Sequence, residues 1–279
     1  MNITIYTATG CTRCRIVKGF MEEQNITCEE KDMKAEGKED FQAFYKANRH
    51  AVFRGPDGIE FPIITDGVEI RQGIGASIAY LYSGKKLDGF FRVGILHKEW
   101  VDGIQISGGQ QEYTDIFLEV LKYLKGNNMK LQVDTNGKNS DILQQVLSNN
   151  LADVVIMDVV GPAELYDKIL GEDVALEDIK KSLALITRFP EFKIQTTVRP
   201  ILREDGQISY LTPQEIGETA KLISEGTGSK KVPYLLKAFN PQDSKDKAIR
   251  SLEPLAANQL FSYRTKARAF QVFTEIEKA

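Results

Sequence analysis

The sequence predicts an α/β protein in two parts, a small mixed-sheet domain followed by a partial (β/α) barrel. Three observations lead there. Residues 1–84 order as β-α-β-α-β-β-α and hold all three cysteines, Cys11, Cys14 and Cys28. Residues 85–279 alternate strand and helix patterns and hold no cysteine. Between them, Ser83-Gly84-Lys85-Lys86-Leu87-Asp88-Gly89 is a glycine-flanked polar stretch of the kind that links domains. The expected division is a domain at 1–84, a linker and barrel-edge segment at 85–100, and a barrel with a closing helix at 101–279.

In the first part, Asn2–Thr7 alternates apolar and polar residues as a strand does. Thr12–Gln24 spaces Ile16, Val17, Phe20 and Met21 as a helix. Ile26–Lys31 is a second strand, and Lys38–Asn48 a second helix with Phe41, Phe44 and Tyr45 on one face. After the turn at Gly55-Pro56-Asp57-Gly58, Phe61–Thr65 and Val68–Arg71 flank Asp66-Gly67, a strong short-range hairpin signal. Ala76–Tyr82 is the last helix.

In the second part, strands are expected at Gly103–Ser107, Lys130–Thr135, Val154–Asp158, Lys193–Val198 and Tyr234–Ala238. Helical patterns fall between them at Tyr113–Lys125, Asp141–Asn150, Leu176–Arg188 and Pro213–Ser224, and a long helix at Ala256–Lys278 closes the chain. Strands separated by helical crossovers imply a parallel sheet. Phe90–Leu96 also reads as a strand, but too few residues separate it from Gly103 for a parallel return. The barrel thus lacks a first strand. Its exposed edge needs a cover, for which Phe90, Phe91 and Trp100 are candidates, as is a second copy in a homodimer.

Lys and Arg number 36 against 39 Asp and Glu, a net charge of −3. That balance supplies no general electrostatic footprint for nucleic acid. No apolar run approaches the roughly 20 residues that span a bilayer, and the start shows no basic segment leading into an apolar one, so neither a membrane nor a signal peptide is expected. Three cysteines do not make a disulfide framework. The expected location is the cytoplasm.

Cys11-Thr12-Arg13-Cys14 follows a strand and opens a helix. The first helical turn offers unsatisfied N–H groups and the positive end of the dipole, which favour a thiolate at the leading cysteine. Arg13 and Arg15 add positive charge, and the spacing lets Cys14 resolve a mixed disulfide at Cys11. The alternatives are an inert thiol pair and a metal knuckle, which would need two more ligands where only Cys28, His50 and His97 are at hand. Cys28, in a strand, reads as a buried, inert thiol.

Residues 1–84 resemble the glutaredoxins, small members of the thioredoxin fold. The resemblance rests on Thr4-Ile5-Tyr6, the pair Cys11 and Cys14, Phe61-Pro62, Asp66-Gly67 and Gly73-Ile74-Gly75. It implies a cis Phe61–Pro62 bond beside the sulfurs, with Tyr6, Arg13 and Phe61 around the substrate. It also implies that the turn Gly73–Gly75 holds a glutathione carboxylate. Thr12-Arg13 between the cysteines, Phe61 before the proline and Ala76-Ser77 after Gly75 depart from the family pattern. They put glutathione in doubt as the specific partner.

Residues 101–241 resemble the radical S-adenosylmethionine activating enzymes of glycyl-radical systems. The matching stretches are Gly103-Ile104-Gln105-Ile106-Ser107-Gly108-Gly109, Leu131–Gly137 ending Asp134-Thr135-Asn136-Gly137, Asp153–Asp158 and Thr196–Pro200. Such enzymes hold an iron–sulfur cluster on three closely spaced cysteines ahead of the Ser-Gly-Gly strand, and clusters of this kind require thiolates. This part has none, Gln110-Gln111 replaces Glu-Pro, and Val160 stands where a Lys often follows Asp158. No cluster is therefore expected. A ligand rim at Ser107, Gly108, Gly109, Asp134, Asn136, Asp158 and Arg199 remains a candidate, because such folds place ligands at the C-terminal ends of strands.

The functional expectation is a thiol-disulfide oxidoreductase with Cys11 as nucleophile, Cys14 resolving and Pro62 shaping the groove. Its partner would be a protein disulfide or glutathione, and the degenerate barrel would bind a partner or ligand. The alternatives are a redox-sensitive adaptor or scaffold of a glycyl-radical or other anaerobic enzyme system, and iron–sulfur delivery through Cys11 with glutathione.

Overall fold

The computed structural model describes residues 3–55, 58–96 and 98–277. Asn2, Pro56-Asp57, His97 and Lys278, which enter the sequence reading, lie outside the described residues. The chain divides into two compact units, Met1–Val133 with Asn149–Asp153, and Asp134–Ser148 with Val154–Ala279. The first unit therefore holds residues 1–84 together with the segment that follows them.

The first unit opens with β1 (Ile3–Thr7), α1 (Thr12–Glu23), β2 (Cys28–Asp32) and α2 (Lys38–Ala47). Two-residue strands β3 (Arg54–Gly55) and β4 (Gly58–Ile59) precede β5 (Ile63–Thr65), β6 (Ile70–Gln72) and α3 (Ile74–Ser83). Four of these strands form a mixed sheet in the order β2-β1-β5-β6. β1 runs parallel to β2 and antiparallel to β5, which pairs antiparallel with β6. Central β1 is buried at nearly every position. One core cluster gathers Tyr6, Phe41, Val52 and Ile63, with Phe44, Tyr45 and Phe61 packed against it. The expected hairpin at Asp66-Gly67 is present, and Asp66 Oδ1 accepts the N–H groups of Val68 (2.9 Å) and Glu69 (2.8 Å).

The same unit continues with β7 (Trp100–Gln105), α4 (Thr114–Gly126) and β8 (Lys130–Thr135). β7 starts ahead of the expected Gly103, so Trp100 opens the strand instead of covering its edge. Phe90–Arg92 supplies the cover. The Arg92 N–H donates to Gly103 O (2.8 Å), the Gln105 N–H donates to Phe90 O (2.7 Å), and Phe91 bridges Ile104 in antiparallel fashion. A short return permits only this direction. It also requires a glycine, since a Cβ on Gly103 (φ +73) would lie 2.6 Å from Arg92 O.

The second unit contains α5 (Ser140–Ser148), β9 (Val154–Asp158), α6 (Tyr166–Leu170), α7 (Leu176–Ile186), β10 (Glu191–Val198) and the hairpin β11 (Pro200–Leu202) and β12 (Ile208–Tyr210). It ends with α8 (Pro213–Thr227), β13 (Tyr234–Ala238), α9 (Lys247–Arg250), α10 (Leu260–Ala267) and β14 (Thr274–Ile276). α8 begins on a capping box: Thr212 accepts the Glu215 N–H while the Glu215 side chain returns to the Thr212 N–H.

The large sheet has six strands in the order β14-β13-β10-β9-β8-β7, consistent with a partial β/α barrel. β9, β10, β13 and β14 pair in parallel, with Gln195 opposite Asp158 and Tyr234 opposite Thr274. Five strands and a long closing helix at Ala256–Lys278 were expected. Instead α10 stops at Ala267, and Thr274–Ile276 becomes a sixth strand. Buried Gln271 directs that change, its Nε2 donating to Ser229 O (2.7 Å) while the Val272 N–H donates to Lys230 O. On one face of this unit's strands Val155, Met157, Ile194, Val198, Tyr234 and Leu236 are buried. The alternate residues Ile156, Asp158, Gln195, Thr197, Leu235 and Lys237 are half-buried.

Candidate redox site

Cys11 is the N-cap of α1, with extended φ and ψ of −73° and 108°, and its Sγ accepts the Cys14 N–H (3.1 Å). The sulfur thus occupies the position where a cap side chain satisfies an otherwise unpaired donor. Cys11 and Cys14 are joined in a disulfide, with Cα atoms 5.3 Å apart. Cys14 is buried at 2% exposure, whereas Cys11 is only half-buried. The outer sulfur is accessible and the inner one is held in the core, the asymmetry that sequential attack and resolution need.

Two open grooves flank Cys11. One, of about 370 Å³, is lined by Ala8, Cys11, Thr12, Arg13, Ile59, Glu60, Phe61 and Lys98. The other, of about 310 Å³, runs over Thr7–Cys11, Cys14, Arg15, Lys18, Glu30 and Asp32. In the second groove Lys18 pairs with Glu30 (2.8 Å), and the Thr9 hydroxyl donates to Asp32 (2.8 Å). The Phe61–Pro62 bond is cis, and the Gly73 N–H donates to Pro62 O (2.8 Å).

Arg13 is 8% exposed. Its guanidinium forms an ion pair with Glu60 and donates to the carbonyls of Leu96, Lys98 and Trp100. It therefore pins the stretch ahead of β7 beside the disulfide, a role that nothing in the Cys-Thr-Arg-Cys spacing signals. Tyr6 stacks on Phe44 (4.5 Å between ring centroids) and meets Phe41 edge-on (5.5 Å), as part of the core. Burial raises its phenol above the usual range. Phe61 bridges the two settings, packing on Phe41 while lining the groove.

The turn Gly73–Gly75 is buried, and a Cβ on Gly75 would meet Phe91 (3.0 Å) and Val101 (3.4 Å). Only a small recess remains beside it, lined by Arg13, Glu60, Arg92, Gly94, Val101 and Asp102. Phe91 and Val101 thus stand against the turn for which the resemblance implies a carboxylate of glutathione. Cys28 opens β2 and is half-buried, its thiol raised chiefly by burial and further by Glu30.

The expected ligand rim falls in both units. In the first, Gly108 and Gly109 have packing reasons of their own. A Cβ on Gly108 would lie 2.4 Å from Gly89 O, and one on Gly109 would lie 2.2 Å from the Phe90 ring, which stacks on Phe117 at 4.3 Å. Ser107 is half-buried beside them. In the second unit, Asp134 and Asn136 stand at the end of β8, where Asn136 Oδ1 accepts the Lys138 N–H and Asn136 O accepts the Tyr166 hydroxyl. Asp158 accepts from Gln195 Nε2 (2.9 Å), and burial holds its carboxyl above the usual range against the opposing pull of Gln195, Lys237 and Arg199. The Nε of Arg199 is buried and has no partner among the described residues.

An iron–sulfur cluster does not fit these residues. Clusters take thiolates, and Cys28 is the one cysteine outside the disulfide. The flank of the double glycine is likewise taken by Gly89 and Phe90.

No family model matches the chain. Over 168 residues it is 25% identical to a protein of Methanocaldococcus jannaschii named as a glycyl-radical enzyme activating enzyme, covering 58% of this chain and 64% of that one. The chain thus spans just under two thirds of that relative's length. Among solved structures, coproporphyrinogen III oxidase of Escherichia coli, a radical SAM enzyme, aligns with a TM-score of 0.41 at 14% identity. That alignment covers 61% of this chain and 41% of that one. Among the described residues no helix is long and apolar enough to cross a membrane.

Proposed function

We propose that the protein is a thiol-disulfide oxidoreductase whose glutaredoxin-like amino-terminal part works through Cys11 and Cys14. One observation carries the reading: a half-exposed sulfur capping a helix, between two open grooves, bonded to a buried partner three residues on. In the reducing direction, the Cys11 thiolate bonds to one sulfur of a partner disulfide and the other sulfur leaves with the electron pair. Cys14, giving its proton to solvent, then bonds to Cys11 and releases the partner's remaining thiolate. Two electrons pass to the partner, and the Cys11–Cys14 disulfide results. Phe61 forms part of the groove wall, with Pro62 buried next to it. The test is equilibration of the full chain with reduced and oxidised dithiothreitol, followed by acid trapping of thiols. A reversible two-thiol couple that Cys11→Ser and Cys14→Ser each abolish, and Cys28→Ser leaves intact, is expected. Absence of that couple refutes the reading.

A second reading, a redox-sensitive adaptor in a glycyl-radical or other anaerobic enzyme system, is favoured by the similarity to an activating enzyme combined with Phe90 packed over Gly109. It predicts a complex that survives Cys11→Ser, which pull-downs with both forms would reveal.

A further inference from the structure

Lys98 lies in the groove beside Cys11 although it comes from the stretch ahead of β7, far from the cysteine pair in sequence. Its backbone is left-handed, with φ of +61°, a conformation that a lysine adopts only when its surroundings impose it. The cause is visible. The carbonyls of residues 96, 98 and 100 converge on the Arg13 guanidinium, and this gathering places Lys98 at the groove mouth. Among the described residues that line the groove, Arg13 pairs with Glu60, and Lys98 is the further charged side chain. The adjacent Glu99 pairs with Lys130 (3.5 Å). Beside Cys11, the remaining lining is uncharged: Ala8, Thr12, Ile59 and Phe61.

We infer that the disulfide partner is a polypeptide segment with acidic residues flanking its cysteine, and that Lys98 is the residue that selects it. This rests on the disulfide-exchange reading above. Opposite charge at the groove mouth speeds encounter and favours docking, an effect that salt screens. It gives a neutral partner no such help and opposes a basic one.

The test uses the full chain, reduced with dithiothreitol and then freed of it. The probes are three peptides, each with one cysteine held as a mixed disulfide with thionitrobenzoate and flanked by aspartates, asparagines or lysines. Cys11 bonds to the peptide sulfur, the coloured thionitrobenzoate leaves with the electron pair, and Cys14 then displaces the peptide thiolate. The aspartate peptide should react roughly threefold to tenfold faster than the lysine peptide at low ionic strength, the range of one or two exposed charge pairs. High salt should bring the ratio toward one. Lys98→Gln should abolish the preference and Lys98→Glu should reverse it. Equal rates in the unaltered protein, or an unchanged ratio in Lys98→Glu, would overturn the inference. If no peptide reacts faster than with Cys11→Ser, it is the disulfide-exchange reading itself that falls.

Discussion

Replacing Arg13 with alanine removes one partner of a buried ion pair whose side chains are 9% and 7% exposed, and three carbonyls lose a shared donor. Breaking a buried pair from one side costs about 3–5 kcal/mol, because the surviving charge stays desolvated. The carbonyls add little, since Lys98 is exposed and Leu96 and Trp100 are half-buried, so water replaces the guanidinium. A loss of about 3–4 kcal/mol follows, roughly a 10 °C fall in melting temperature for a unit of this size. Trp100 is the sole tryptophan, and its own carbonyl is one of the three, so its fluorescence reports on this segment. Urea unfolding of the full chain followed by tryptophan emission gives the number. Glu60→Gln combined with Arg13→Ala should recover part of the loss, since the buried carboxylate charge is removed together with its guanidinium partner. A cost below about 1 kcal/mol, with additive single and double variants, would refute the idea that the pair anchors the segment.

Three more outcomes follow from the geometry. Gly109→Ala should destabilise the first unit by about 2–4 kcal/mol, because the new methyl group overlaps a fully buried Phe90 ring; adding Phe90→Leu should relieve part of it, measured by the same urea titration. Asp66 is held at about 2, first by the Tyr80 hydroxyl (2.6 Å) and then by backbone N–H groups, and Tyr80 is pushed up to about 12 by burial and Asp66. The carboxylate's contribution is present above its ordinary value of 3.8 and is lost as pH falls through about 2, whereas the phenol's is present below 10 and is lost as pH rises through about 12. In Tyr80→Phe, carbon-detected NMR titration should move Asp66 back toward 3.8. Asp158 has the opposite sign: its raised carboxyl makes the ionised form a burden that appears as pH climbs through the folded-state value. Asp158→Asn should therefore raise the calorimetric melting temperature at neutral pH, and an unchanged or lower value contradicts the assignment.

Much of the local architecture was legible in the residues. The strands at Lys130–Thr135, Val154–Asp158 and Tyr234–Ala238 were placed to the residue, and the cysteine pair was read at the start of a helix. Such features depend on periodicity and capping, which are local. The end of the chain departs from the sequence expectation for the converse reason. Val272-Phe273-Thr274-Glu275-Ile276 has the aromatic and β-branched content of a strand, but its partner is the edge of β13, dozens of residues earlier, and no window of sequence shows that edge waiting. Arg13 is a similar case. It was read as a charge beside the thiolate, and its actual partners lie 47 to 87 positions away. The double glycine was read as room for a ligand. What the sequence does not show is that Gly89 and Phe90 stand where Cβ atoms at Gly108 and Gly109 would lie.

That occupancy has a thermodynamic consequence. A side chain tethered so near in sequence competes at an effective concentration of about millimolar or more, without any loss of translational freedom. A diffusing molecule aimed at the spot where a Gly109 Cβ would stand must first evict the Phe90 ring from its stack on Phe117. On the side where a Cβ would stand, Gly109 is in this sense saturated by its own chain.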